Sequence, residues 1–124
     1  MTSATALILF AHGARDPEWA APLRRVQAAI TASAPERRVD LAFLEFMTPT
    51  LPECVAALAG AGVTSVVVVP MFIAQGGHLK RDLPALLDTL REQYPGLALV
   101  LAPAIGESAG VIAAMAQAAL SAAD

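Results

Sequence analysis

Four consecutive valines, Val66–Val69, lie between Ser65 and Pro70 and restrict the possible folds more than any other stretch of the chain. Neighbouring residues in a strand point to opposite faces, so an unbroken β-branched run suits a strand buried on both sides. Such a strand belongs in the middle of a parallel sheet with helices on its faces. Ala6–Ala11, Val39–Phe46 and Leu97–Leu101 read as three further strands. A helix-like segment follows each of the four, which is the rhythm of repeated βα units.

The helices carry their own start and stop signals. The first is rich in alanine and sets Trp19, Leu23, Val26 and Ile30 on one face. Its start falls between Asp16 and Ala21, because Pro22 inside a helix would forfeit a hydrogen bond. Thr50-Leu-Pro-Glu53 is a capping box for the second, which ends near Gly60 or Gly62. Leu83, Leu86, Leu87, Leu90 and Tyr94 recur at helical spacing until Pro95-Gly96 stops the third. Ser108 stands where it can cap a fourth, bearing Val111, Ile112, Met115, Ala119 and Leu120. The expected architecture is α/β: one domain over residues 1–124, with a single open, four-stranded parallel sheet and flanking helices.

Composition excludes several functions. With 15% charged residues and a net charge of −3, the chain offers no broad basic surface for a phosphate backbone, so nucleic acid is not an expected partner. Cys54 is the sole cysteine, which rules out an internal disulfide and favours a buried apolar role. The opening MTSATALILFAHG lacks the basic region and cleavage signature of a signal peptide. That apolar run and the one from Val63 to Ala74 are both too short to span a bilayer. A cytoplasmic protein without a membrane partner is the expectation.

In an open parallel sheet, ligands bind outside the carboxyl ends of the strands. The loops expected there are HGARDPEW, EFMTPT, PMFIAQGGHLKRD and APAIGES. They contain the chain's only two histidines, His12 and His78, each placed after a strand-like run and beside glycines Gly13, Gly76 and Gly77 that allow close ligand approach. Glu45 lies 33 residues after His12 and 33 before His78, about one βα unit each way. Two imidazoles and a carboxylate suit borderline divalent ions such as iron, cobalt, nickel or zinc in a labile site. Taken singly, each also has a plain reading: a loop histidine bonded to backbone, or a glutamate facing solvent.

Arg15, Lys80 and Arg81 cluster near those histidines in a chain with eight basic residues, which favours a carboxylate-bearing substrate. Pairing with Asp16 and Asp82 at helix ends is the competing reading. Met47, Met71 and Phe72 would give a flat ligand an apolar wall, or else are core. A histidine phosphatase needs an arginine just before its first histidine, where this chain has Ala11. Neither GxGxxG nor a P-loop is present, and the acidic cluster of a receiver domain is missing. A non-catalytic module that binds metal for storage or delivery stays open as the alternative to an enzyme.

HGARD after the first strand, FLEF before a proline-containing helix start, and VPMFIAQGGHLKRDLP together resemble the small CbiX and SirB class II chelatases over nearly the whole chain. The resemblance implies a flavodoxin-like, chelatase-like half and a lyase-type metal chelatase. Its reaction would place a divalent ion, Co2+, Fe2+ or Ni2+, into the octacarboxylate tetrapyrrole sirohydrochlorin, on the route to cobalamin or sirohaem. It further implies that His12, Glu45 and His78 handle metal and protons and that no organic cofactor takes part. Double-length relatives set two such domains across the tetrapyrrole cleft, so a homodimer is expected here. The chain departs from some relatives in its last loop, where Ser108 leaves no third imidazole.

Overall fold

Strand-forming and helix-forming segments alternate as the sequence suggests in the computed structural model, which describes residues 5–124. The strands are β1 (Ala6–Ala11), β2 (Val39–Phe43), β3 (Ser65–Pro70) and β4 (Ala98–Leu101); the helices are α1 (Ala21–Ser33), α2 (Leu51–Gly60), α3 (Gly77–Gln93) and α4 (Ala109–Ala122). All pairings are parallel and the strand order is β2-β1-β3-β4, so the valine strand is central, as expected, with β1 beside it. Part of the reading of the amino terminus concerns residues 1–4, which lie outside the described residues. No helix among the described residues is long and apolar enough to cross a membrane.

Local chemistry explains where the elements begin. The Asp16 side chain accepts a hydrogen bond from the Glu18 N–H and caps a short 3-10 turn, Pro17–Ala20, from which α1 continues. Pro22 therefore sits in the first turn of α1, where its missing N–H costs nothing. Both bonds of the Thr50–Glu53 capping box are formed. Ser108 occupies the N-cap position of α4, although its side chain makes no capping bond. Strand β2 stops at Phe43, three residues short of the expected Phe46.

Burial divides the sheet into unequal faces. Ile8, Phe10, Val66 and Val68 point into the main core, where Val55 and Leu58 of α2 and Leu83, Leu87 and Leu90 of α3 cover them. On the other face Leu7, Val67 and Val69 are only half-buried, so the expected burial of the valines on both sides is complete on one side only. Neither α1 nor α4 has a fully buried residue. Between them an apolar groove of about 480 Å³ stays open, lined by Leu7, Leu9, Val26, Ile30, Val69 and Val111 among others.

Cys54 lies in the main core, as expected, at 2% exposure. Burial, aided by the nearby Asp40 carboxylate, pushes its thiol up from 9.0 to about 12. The thiolate is the reactive form, so thiol reagents at pH 8 are expected to leave Cys54 unlabelled in the native protein and to label it once urea unfolds the chain. A raised folded-state value adds stability that is complete below pH 9 and is lost as pH climbs from 9 towards about 12, since the unfolded chain gives up this proton first. Urea midpoints measured across that interval check the sign.

Candidate functional site

A parallel sheet ordered β2-β1-β3-β4 reverses its direction of winding between β1 and β3, and such a reversal is where open α/β sheets bind ligands, outside the carboxyl ends of the strands. His12 stands at that point, one residue beyond β1. The N–H of Met71 donates to the carbonyl of Phe10 at 2.7 Å, which carries the β1–β3 pairing to the rim and sets Phe72 beside His12. The two rings stack with centroids 4.5 Å apart and planes inclined by 37°. Phe72 is 5% exposed and meets Phe10 edge-on at 6.0 Å. His12 is thus an exposed imidazole resting on a core aromatic, which restricts its ring without burying its nitrogens.

Glu45 arrives next to it by a continuation of strand pairing. Beyond the end of β2, the N–H of Leu44 donates to the carbonyl of Ala11 at 2.9 Å and that of Glu45 to the carbonyl of His12 at 3.1 Å. Gly13 makes this approach possible. Its φ of +87° lies in the left-handed region, and a methyl group on its Cα would run into the Glu45 carbonyl oxygen. His12 and Glu45 are therefore backbone neighbours with both side chains exposed.

His78 sits differently. The expected glycine loop after β3 is shorter than the motif suggested, and His78 belongs to the first turn of α3 rather than to a strand end. Gly76 is the N-cap in ordinary extended backbone (φ −72°), and an added Cβ at Gly76 or Gly77 would meet nothing, so these glycines do not provide the close approach expected of them. His78 Nδ1 lies 3.5 Å from Asp82 Oδ2, one turn further on, with side-chain exposures of 88% and 71%. An Asp82 carboxylate facing Nδ1 favours the tautomer that leaves Nε2 available as a ligand or base. Lys80 and Arg81 extend from the same opening turns and are exposed.

The expected set His12, Glu45 and His78 is only partly gathered within one chain. No three histidine, cysteine, aspartate or glutamate side chains come together as a ligand cluster among the described residues. Met71 and Phe72, expected as one apolar wall, are divided between the two faces of the sheet. Phe72 supports His12 in the main core, while Met71 lines the α1–α4 groove and packs with the Ala11, Ala20 and Phe43 cluster. Arg15 lies with its guanidinium carbon 4.7 Å from the centroid of the Phe46 ring. Those two residues border an open cleft of about 340 Å³, with Ala14, Pro17, Met47 and Thr48. The sequence reading had Phe46 in the EFMTPT loop but gave it no role, because it also made the residue the end of β2.

Comparison with known proteins gives a consistent picture. The model of the CbiX family matches residues 6–122. A sirohydrochlorin cobaltochelatase of Saccharolobus islandicus is 36% identical over 106 residues, which is 81% of each chain. The crystal structure of a CbiX protein from Marinobacter aquaeolei VT8 superimposes with a TM-score of 0.82 at 30% identity, over 96% of both chains. SirB from Bacillus subtilis with Fe3+ shares the fold at a TM-score of 0.74 and 23% identity, over 90% of this chain and 44% of the other.

Proposed function

The chain belongs to the CbiX family, and from that membership we propose that it inserts a divalent metal ion, Co2+ or Fe2+, into sirohydrochlorin. The observation that carries this reading is His12 held on Phe72 at the winding reversal of the sheet, with Glu45 bonded alongside it. A chelatase must strip water from its ion, present it to the pyrrole nitrogens and remove two N–H protons. Neutral imidazoles suit the first two tasks, since histidine binds borderline ions without adding charge. An imidazole or carboxylate within reach of the macrocycle suits the third near neutral pH.

His12 and His78 then hold the ion and, once it passes to the pyrrole nitrogens and frees their lone pairs, accept the pyrrole protons, while Glu45 assists by carrying a proton away or balancing the ion's charge. Arg15, Lys80 and Arg81 pair with substrate carboxylates, which are anionic at neutral pH and favour charge-assisted bonds. The overall change exchanges two protons for one dication, so the macrocycle core keeps its net charge and no organic cofactor is needed.

A homodimer completes this picture. Helix α4 carries no charged side chain from Ala109 to Ala122, and it exposes Ile112, Met115 and Leu120, the last at 65%. Helices that are apolar all round are covered in soluble proteins. The groove beside α4 reaches Met71 and Ile105 at the carboxyl ends of β3 and β4, so a second copy seated there would reach the rim that holds His12. Such a partner offers a second set of donors where one chain gathers no three. Leu120→Asp and Met115→Asp are each expected to weaken dimerisation about 100-fold, on the order of 3 kcal/mol, by leaving an unpaired charge in the interface. Sedimentation of both variants at graded concentration checks it, and a wild-type monomer at every concentration would refute the dimer.

The deciding experiment follows the absorbance of sirohydrochlorin anaerobically with Co2+ or Fe2+, comparing wild type, His78→Ala and no protein. Metalation faster than the uncatalysed rate by the wild type, reduced in the variant, is the expected result. Wild-type rates equal to the control would overturn the chelatase reading in favour of a binding module.

A further inference from the structure

Phe46 is an unusual residue in an unusual place. It follows Glu45 in the loop from β2 to α2, on the carboxyl side of the sheet, and the residue is 56% exposed. Its φ of +69° makes it the one non-glycine residue with positive φ among the described residues. A bulky side chain rarely adopts that conformation, and strain of this kind gathers at ligand sites because folding alone does not favour it. Folding stability does not explain the choice of phenylalanine either: the ring is largely in water, whereas glycine would satisfy the backbone without strain.

Its surroundings are those of a platform. The Arg15 guanidinium lies 4.7 Å from the ring centroid, a cation–π distance, which supports the ring in an upright position at the mouth of the cleft it shares with Met47 and Thr48. Glu45 and, through it, His12 are the adjoining residues along the rim. An exposed aromatic ring beside a cation is suited to a ligand that is flat and conjugated in its centre and anionic at its margin. A tetrapyrrole polycarboxylate has that form.

We propose that Phe46 is a binding residue for the tetrapyrrole. Its ring lies against the macrocycle plane, while Arg15 shifts from the ring to a peripheral carboxylate as the ligand enters. This assignment rests on the chelatase reading and adds to it a contact with the body of the substrate rather than with the metal. Phe46 acts on macrocycle affinity and leaves metal binding to other residues.

The test uses metal-free sirohydrochlorin titrated into the protein, read by its absorbance and by quenching of Trp19 fluorescence. Phe46→Gly is expected to raise Kd about 10-fold, the loss of one ring-stacking contact. Its thermal midpoint should stay within a few degrees of wild type or rise, because glycine relieves the positive φ. Phe46→Tyr keeps the ring and should bind as wild type does. In metalation, KM should rise for Phe46→Gly with kcat changed much less. Wild-type binding that Phe46→Gly matches would overturn the platform and leave the chelatase reading intact. A loss of stability in Phe46→Gly equal to its loss of binding would also overturn it, by showing the ring to be structural. Failure of the wild type to bind sirohydrochlorin would sink both readings together.

Discussion

Replacing His12 by alanine is expected to slow metal insertion by about 100-fold or more, the usual loss when a positioned acid–base group is removed. The imidazole is exposed, so little buried area disappears with it, and Phe72 keeps its packing against Phe10. The thermal midpoint should therefore move by only a few degrees. Initial rates with Co2+ and Fe2+, measured alongside thermal unfolding, separate the two effects. A residue that merely completed the core would show the opposite balance, a large fall in stability with residual rate. The comparison with His78→Ala is informative because His78 stands on the first turn of α3 without an aromatic support. Its loss should reduce the rate with no measurable change in stability.

Gly13→Ala is expected to be severely destabilising. Two penalties coincide at that position. Alanine is disfavoured at a φ of +87°, and its Cβ would collide with the carbonyl of Glu45, a backbone atom that cannot swing aside as a side chain could. Together these should cost about 3 kcal/mol or more, in the range reserved for core cavities and broken networks. Relief would require breaking the Glu45 N–H bond to His12, so the variant should lose activity even where it still folds. Urea unfolding gives the first quantity and residual metalation below the midpoint gives the second. By contrast, Gly76→Ala meets open space at an ordinary φ and should be nearly silent in stability.

The contrast between these glycines shows what was legible in the sequence. Both stand beside a histidine in a motif, and nothing in the local pattern separates a glycine required by a crossing backbone from one that opens a helix. That distinction depends on Glu45, 32 residues away in the chain. The strands were legible because β-branched runs and their parity are local properties, and so were the capping box at Thr50 and the stop at Pro95-Gly96. The end of β2 was not, since Leu44-Glu45-Phe46 continues an acceptable strand pattern and only the left-handed turn at Phe46 reveals the loop. Of Met47, Met71 and Phe72, read as one apolar wall, the division of Met71 and Phe72 between two faces was not legible either. Adjacent residues at a strand end point to opposite faces, so one became the support for His12 and the other a wall of the α1–α4 groove. The two histidines and Glu45 were legible as candidate ligands, but their degree of assembly was not, because it depends on how α3 starts and on what lies across the rim.

The uncharged surface of α4 has a consequence for the conditions the protein tolerates. An association built on apolar contact without ion pairs has little for salt to screen, so it should persist at high ionic strength and strengthen in sulfate or phosphate. Cooling acts the other way, since the entropic drive for burying apolar surface fades as temperature falls. Dilute protein kept on ice would then be the least assembled, and warmth would restore it.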